Sequence, residues 1–249
     1  MSRSLRYRLP RRHAVMLFAL CLALLSGRPL YAQGTPASTL WLPIIMRAGG
    51  GNPVYQGIAT FYGATGAGAC SFDPSPQDLM VAAMNAAEYN TAAVCGAYVL
   101  VNGPNGTVTV RIVDLCPECE AGHLDLSQEA FQQIADPVAG RVAITWQIIS
   151  PDLAGPIQYH FKDGSNQWWT AVQIRNHRNP IATLEYHNGS RWVAVPRTEY
   201  NYFVQATGMG AGPYQFRVTD AYGNVLTDSA IPHVENGTVD GAAQFPAGP

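Results

Sequence analysis

The chain has 249 residues, enough for one large domain or two of roughly 100 residues each. It carries 24 glycines, 18 prolines and 10% aromatic residues but only 13% charged ones, a composition that fits many short strands joined by tight turns and excludes a helical bundle. The formal net charge is −2, a balance set largely by the first thirty residues.

Arg3, Arg6, Arg8, Arg11 and Arg12 precede an unbroken apolar run at residues 14–25, and Leu30-Tyr31-Ala32 offers a small residue for cleavage. This pattern predicts an export signal at residues 1–32. The apolar run falls short of the roughly 20 residues a membrane-spanning helix needs. Cleavage removes six arginines and leaves nine basic against 17 acidic side chains, net −8, so the expected secreted, extracellular chain is acidic. With Lys162 as its only lysine it is poorly equipped to bind phosphate, which excludes nucleic acid as a partner, and no membrane contact is expected after cleavage.

Export leaves Cys70, Cys95, Cys116 and Cys119 in an oxidising compartment, where an even count favours two disulfides and three connectivities are open. The nearness of Cys116 to Cys119 favours that pair, and with it Cys70 to Cys95. Structural zinc usually needs two CxxC pairs, and a redox CxxC needs a βαβ context; neither is present, and no metal or cofactor is expected.

Residues 33–53 read as a flexible linker ending in Gly49-Gly50-Gly51-Asn52-Pro53, interrupted by an apolar stretch at 40–46 that this pattern does not explain. Strands are predicted at 57–62, 79–84, 98–101, 107–113 and 141–149, with the turn at 102–106 closing a hairpin. One helix is predicted at 128–135. Ser127 caps it, Phe131 and Ile134 share a face, and Asp136-Pro137 ends it. Residues 150–156, with two prolines and a glycine, divide a first domain at 54–150 from a second at 151–249, and are short enough to hold the two in nearly fixed relation. Seven runs follow, at 157–162, 168–175, 181–186, 191–195, 200–205, 214–219 and 224–228, and predict a β-sandwich.

The densest chemistry lies at residues 113–127. Asp125 stands between Leu124 and Leu126, just before the helix cap. An arbitrary Asp there is more simply a turn or capping residue. An apolar setting, however, raises a carboxyl pKa and lets the group donate a proton to a glycosidic oxygen. Asp114, at the end of the preceding strand, is placed to hold or orient it. Hydrolysis with inversion needs a second carboxylate as base, and Asp73, Asp78, Glu118 and Glu120 all stay open. Trp168 and Trp169 could stack on sugar rings, but strand alternation would send adjacent side chains to opposite faces and bury at least one. Trp146, Tyr186, Trp192, Phe203 and Phe216 read as core; His123, His160, His177, His187 and His233 read as ordinary surface or packed residues.

The fragments Gly57-Ile-Ala-Thr60-Phe-Tyr62-Gly63, Asp114-Leu-Cys-Pro-Glu118, Gly122-His-Leu-Asp125-Leu-Ser127, Gln167-Trp-Trp169 and Arg175-Asn-His177 occur in that order. Together they resemble the bacterial and fungal expansins over residues 56–246. The resemblance implies a mainly β chain, a six-stranded double-psi β-barrel followed by an immunoglobulin-like β-sandwich that acts as a carbohydrate-binding module. The barrel also resembles that of the family-45 endoglucanases, with Asp125 at the position of their acid and the base lacking. The implied activity is therefore not enzymatic: a monomer binds cellulose and its xyloglucan-type matrix glucans and loosens plant-type walls by disrupting glucan–glucan contacts. Thr60, Tyr62, Asp114 and Asp125 match the family's groove. Trp168, Trp169 and Tyr200 match its binding platform, with Lys162 beside it. Two positions depart from the pattern: Cys116 stands where relatives can carry tyrosine, and Tyr98 where cysteine-bearing relatives have a further cysteine. The alternatives are an endoglucanase-like hydrolase or a peptidoglycan lytic transglycosylase using Asp125 as acid, and a pure binding module. Residues 54–150 have net charge −7 and residues 151–249 net −2, so acidic pectin should be repelled and neutral glucan preferred.

Overall fold

A computed structural model describes residues 51–249; the expected export signal at 1–32, most of the expected linker at 33–53 and the apolar stretch at 40–46 lie outside the described residues. Six strands, β1 (Tyr55–Tyr62), β2 (Val81–Asn85), β3 (Tyr98–Asn102), β4 (Thr107–Cys116), β5 (Leu124–Ser127) and β6 (Val142–Ile149), close into a barrel in the order β1-β5-β2-β4-β3-β6. The pairs β1/β5 and β2/β4 are parallel and the other four antiparallel. Closure leaves no unpaired edge. Alternate residues such as Val99, Val101, Val110 and Ile112 fill the core, and Phe131 and Ile134 of helix α2 (Gln128–Ile134) pack on it. Ser127 caps that helix through its side chain, which accepts from the Ala130 amide.

Two glycines make the crossing of β1 by the loop before β5 possible. A Cβ on Gly57 would lie 1.9 Å from the Gly122 carbonyl oxygen, and Gly122 itself holds φ +81° with the Gln56 oxygen 2.5 Å from where its Cβ would be. Trp146, buried and stacked on Tyr55, donates its indole N–H to the same Gly122 carbonyl at 2.8 Å.

The sequence pattern predicts five of these strands and misses β5, which carries Asp125 and is four residues long, too short for a period to register. It also misses α1 (Ala86–Tyr89), one turn capped by Asn85, whose Oδ1 accepts from the Ala87 and Glu88 amides.

The second domain is a sandwich of two four-stranded sheets. Its strands are β7 (Gln158–Phe161), β8 (Thr170–Arg175), β9 (Ile181–His187), β10 (Trp192–Val195), β11 (Phe203–Gln205), β12 (Tyr214–Asp220), β13 (Val225–Ile231) and β14 (Thr238–Asp240). The sheets run β10-β9-β12-β13 and β11-β8-β7-β14, with Tyr159, Phe161, Leu184, Phe203, Phe216 and Val218 among the residues buried between them. There are eight strands rather than the predicted seven; β14, three residues long, pairs with β7. Trp192 corrects another expectation. It is half-buried outside the core, with the Arg217 guanidinium 4.6 Å from its ring centre and His187 edge-on at 5.3 Å.

The domains meet through the loop that the Cys70–Cys95 disulfide closes. Buried Gln173 donates to the Cys70 carbonyl at 2.8 Å, Arg175 pairs with Asp73 at 2.6 Å, and the Tyr89 hydroxyl donates to the Glu199 carbonyl at 2.8 Å. The second disulfide joins Cys116 to Cys119, so the Cys-Pro-Glu-Cys segment is a cross-linked loop.

Candidate functional site

The barrel sheet lines up one row of residues. Thr60 on β1 is in register with Asp125 on β5, Asp125 with Ala83 on β2, and Ala83 with Asp114 on β4. Laterally paired residues project to the same side of a sheet. Ala83, the smallest of the four, therefore sits between the two acids, whose strands are roughly 10 Å apart at about 4.8 Å per strand spacing.

Asp125 is half-buried, and its Oδ1 accepts from the Thr60 hydroxyl at 2.5 Å. Thr60 Oγ1 also lies 3.0 Å from Nε2 of His123. Thr60 has one proton to give, so with Asp125 ionised the bond from His123 requires Nε2–H, and a relay runs from His123 through Thr60 to Asp125. His123 is fixed from behind, since buried Asn85 donates to its carbonyl oxygen at 3.0 Å. His123 is packed, as expected, and in addition joins the groove through Thr60; it stands two residues before Asp125, a separation that puts both side chains on one face of an extended segment.

Burial raises the pKa of Asp125; the Thr60 hydrogen bond and His123 oppose that rise, and the charges of Glu118 and Asp114 add to it. Leu124 and Leu126, which seemed to supply the apolar setting, instead alternate away from Asp125 into the core. The raised pKa therefore comes from the groove and not from the sequence neighbours. Burial lowers the pKa of His123, with Arg141 adding to the shift. Tyr62 has a buried hydroxyl with no partner among the described residues. Burial, then the charges of Asp114 and Asp125, push its pKa far up, so it remains a donor.

Asp114 does not orient Asp125. Its Oδ1 accepts from the amides of Ala69, at 2.7 Å, and Leu115, at 2.8 Å, which ties down the 68–69 loop. Gly68 is required there, because a Cβ would come within 2.4 Å of the Asp114 carboxyl carbon. Among the four open candidates for a base, Asp73 is engaged by Arg175 and Asp78 accepts from the Met80 amide. Glu118, inside the Cys116–Cys119 loop, and Glu120, just after it, are exposed.

The aromatic residues lie on the second domain. Trp168 and Trp169 precede β8 in a turn, where both amides donate to Asn166 Oδ1, at 2.9 and 3.2 Å. Strand alternation therefore does not apply to Trp168. It is 73% exposed, Trp169 is half-buried and Tyr200 is 41% exposed. The 206–210 loop passes directly beneath the turn at Gly208, φ +75°, where a Cβ would meet the Gln167 carbonyl oxygen at 2.0 Å. Lys162 places its ammonium 5.9 Å from the ring centre of Tyr202, and Tyr202 lies 6.0 Å from Tyr200. A cleft of 370 Å³ between the two domains is lined by Tyr89 and Leu115 of the barrel and Glu199 of the sandwich, among others.

This arrangement has counterparts among known proteins. Expansin-YoaJ of Bacillus subtilis is 37% identical over 203 residues, covering 78% of this chain and 87% of that protein. The chain belongs to the expansin family. The crystal structure of the apo expansin of Clavibacter michiganensis matches with a TM-score of 0.73 at 34% identity, covering 78% of this chain and 99% of the other. A variant of that expansin, crystallised in complex with cellohexaose, matches with a TM-score of 0.74 at 34% identity and the same coverage. A family model described as lytic transglycolase matches residues 54–146, the barrel. The double-psi barrel and sandwich of the expansins are thus the fold of this chain.

Proposed function

We propose that the chain is a secreted, monomeric expansin that binds cellulose and its associated xyloglucan-type glucans and loosens plant-type walls without cutting a bond. The observation that carries this reading is the state of the two groove acids. Asp125 is half-buried, has a raised pKa and accepts from Thr60, but Asp114, in register two strands away, already receives two backbone N–H groups on one oxygen and holds a loop. An inverting hydrolase would need a second carboxylate free to activate water; Asp114 is held by its loop, and of the open candidates only the exposed Glu118 and Glu120 have no side-chain partner among the described residues. Without such turnover, Thr60, Asp125 and Tyr62 are left to exchange hydrogen bonds with a glucan's hydroxyl groups. Each exchange is worth only about 1 kcal/mol net, so a chain is drawn from its neighbours by several contacts together.

Trp168, Trp169 and Tyr200 supply the attachment, with flat faces on which pyranose rings stack. The cellohexaose bound by the Clavibacter michiganensis variant supports a β-glucan as the ligand. Stacking suits a neutral polymer, and the net charge of −7 on residues 54–150 disfavours an acidic one.

A second reading is a glycan-cleaving enzyme with Asp125 as acid, favoured by the lytic transglycolase model that matches the barrel. Pull-down on cellulose and on peptidoglycan, with reducing ends counted on a soluble glucan, separates the two. The loosening role expects retention on cellulose and no release of sugar. Retention on peptidoglycan alone, or release that Asp125→Asn abolishes, would replace it with the enzymatic reading.

A further inference from the structure

Arg197, between β10 and β11, reaches out of its own domain. Its Nη1 donates to the Ala92 carbonyl of the barrel at 3.0 Å, while Nη2 donates to the carbonyls of Ile181 and Ala182 in the sandwich. The guanidinium lies 4.7 Å from the ring centre of Phe203, and Nε is sealed from solvent with no partner among the described residues. Carbonyl dipoles offset the desolvation of such a cation only in part, and an unsatisfied buried N–H adds to the cost.

The loop that Arg197 grips is itself strained. Asn90, Thr91 and Ala92 hold φ of 43°, 53° and 61°, three successive non-glycine residues in the left-handed region, which Asn tolerates but which costs Thr91 and Ala92 on the order of 1–2 kcal/mol each. The cost is greatest in kind for Thr91, whose branched Cβ tolerates that region least. Tyr89, just before the loop, donates its hydroxyl to the Glu199 carbonyl. Asn90 and Thr91 line both the 370 Å³ cleft that Glu199 of the sandwich shares and a larger cavity of 660 Å³ at the domain junction, where they meet Ile148, Ile181 and Phe203.

We infer that Arg197 is a positioning residue: by holding the left-handed turn at residues 90–92 it sets the spacing between the Asp125 groove and the Trp168–Tyr200 platform. This rests on the loosening role proposed above. Attachment to cellulose needs the platform alone, whereas loosening needs one glucan engaged at both places, so only loosening depends on the spacing.

The test uses Arg197→Met, Arg197→Lys and Tyr89→Phe in the full chain, at a temperature where thermal melts show all of them folded. In Arg197→Met the extension rate of a loaded cellulose paper strip should fall about ten-fold or more, as a displacement of about 1 Å in a positioned site can cause. Retention on cellulose should stay within about two-fold of wild type, because Trp168 and Tyr200 are untouched. Arg197→Lys keeps one donor for Ala92 and should recover part of the rate; Tyr89→Phe should show a smaller loss in the same direction. Unchanged extension in Arg197→Met and Tyr89→Phe, or extension and retention falling together, overturns the inference. Should Arg197→Met fail to fold, Tyr89→Phe decides on the same criteria. A wild-type chain that cannot extend paper refutes the loosening role itself. The positioning role is then read from the distance between spin labels on the two domains, and an unchanged distance in the folded variants overturns it.

Discussion

Replacing Trp168 by alanine should detach the chain from cellulose while leaving it folded. A tryptophan side chain offers on the order of 200 Å² of surface. Trp168 is 73% exposed and is held by its backbone bonds to Asn166, so its loss removes little from the core. A pyranose stacked on one indole face covers about 80 Å² of it, worth about 2 kcal/mol at 25 cal/mol per Å². That corresponds to about 30-fold in affinity. Depletion isotherms on microcrystalline cellulose read the affinity, and a denaturant melt should find stability within about 0.5 kcal/mol of wild type. Trp192→Ala, on the opposite sheet of the sandwich, is the control and should leave the isotherm in place. An unchanged isotherm in folded Trp168→Ala would refute the platform, and equal losses in Trp168→Ala and Trp192→Ala would refute its location.

Asp125 should make stability depend on pH. Its folded pKa is raised, so its favourable contribution is full below the ordinary Asp value and is lost as pH rises through the raised one. Asp125→Asn escapes that loss, and its melting temperature relative to wild type should be higher at pH 7 than at pH 3; an equal difference at both pH values contradicts the burial. Gly57→Ala forces a methyl group into the Gly122 carbonyl and should cost about 3 kcal/mol or prevent folding, as thermal melts of the purified chain would show. Removing the Cys70–Cys95 bridge, which spans 25 residues, should cost about 3 kcal/mol, and removing Cys116–Cys119, which spans 3, about 2 kcal/mol or less. Denaturant melts of the two double Cys→Ser variants give the order, and the reverse order would count against the loop-length argument.

Features set by neighbours in the chain were readable from the sequence. Ser127 announces α2 because capping joins a side chain to an amide three residues on. The turn at 102–106 announces the β3–β4 hairpin for the same local reason. The Asp125 groove depends on partners far apart in the chain, since Thr60, Ala83 and Asp114 come into one row with Asp125 only when β1, β2, β4 and β5 pair across the barrel, two of the pairings being parallel. Hence the sequence neighbour Leu124 does not supply the apolar setting of Asp125, which comes from burial in the groove. Asp114 was assigned to Asp125 because the two are close in sequence, whereas its amide partner Ala69 lies 45 residues away. His123 stands two positions from Asp125, but that spacing places both on one face only within a strand, and β5 is too short for the sequence pattern to reveal. For Trp168 the alternation rule was applied to a segment whose Gly164-Ser165-Asn166 lead-in makes a turn.

The most direct test of non-hydrolytic loosening follows one paper strip under load while counting the reducing ends formed on it, with wild type and Asp125→Ala. The geometry predicts that wild type extends the strip with no increase in reducing ends and that Asp125→Ala, though still bound, does not extend it. Extension that proceeds only as reducing ends accumulate, with both abolished in Asp125→Ala, would contradict it and make Asp125 the acid of a hydrolase.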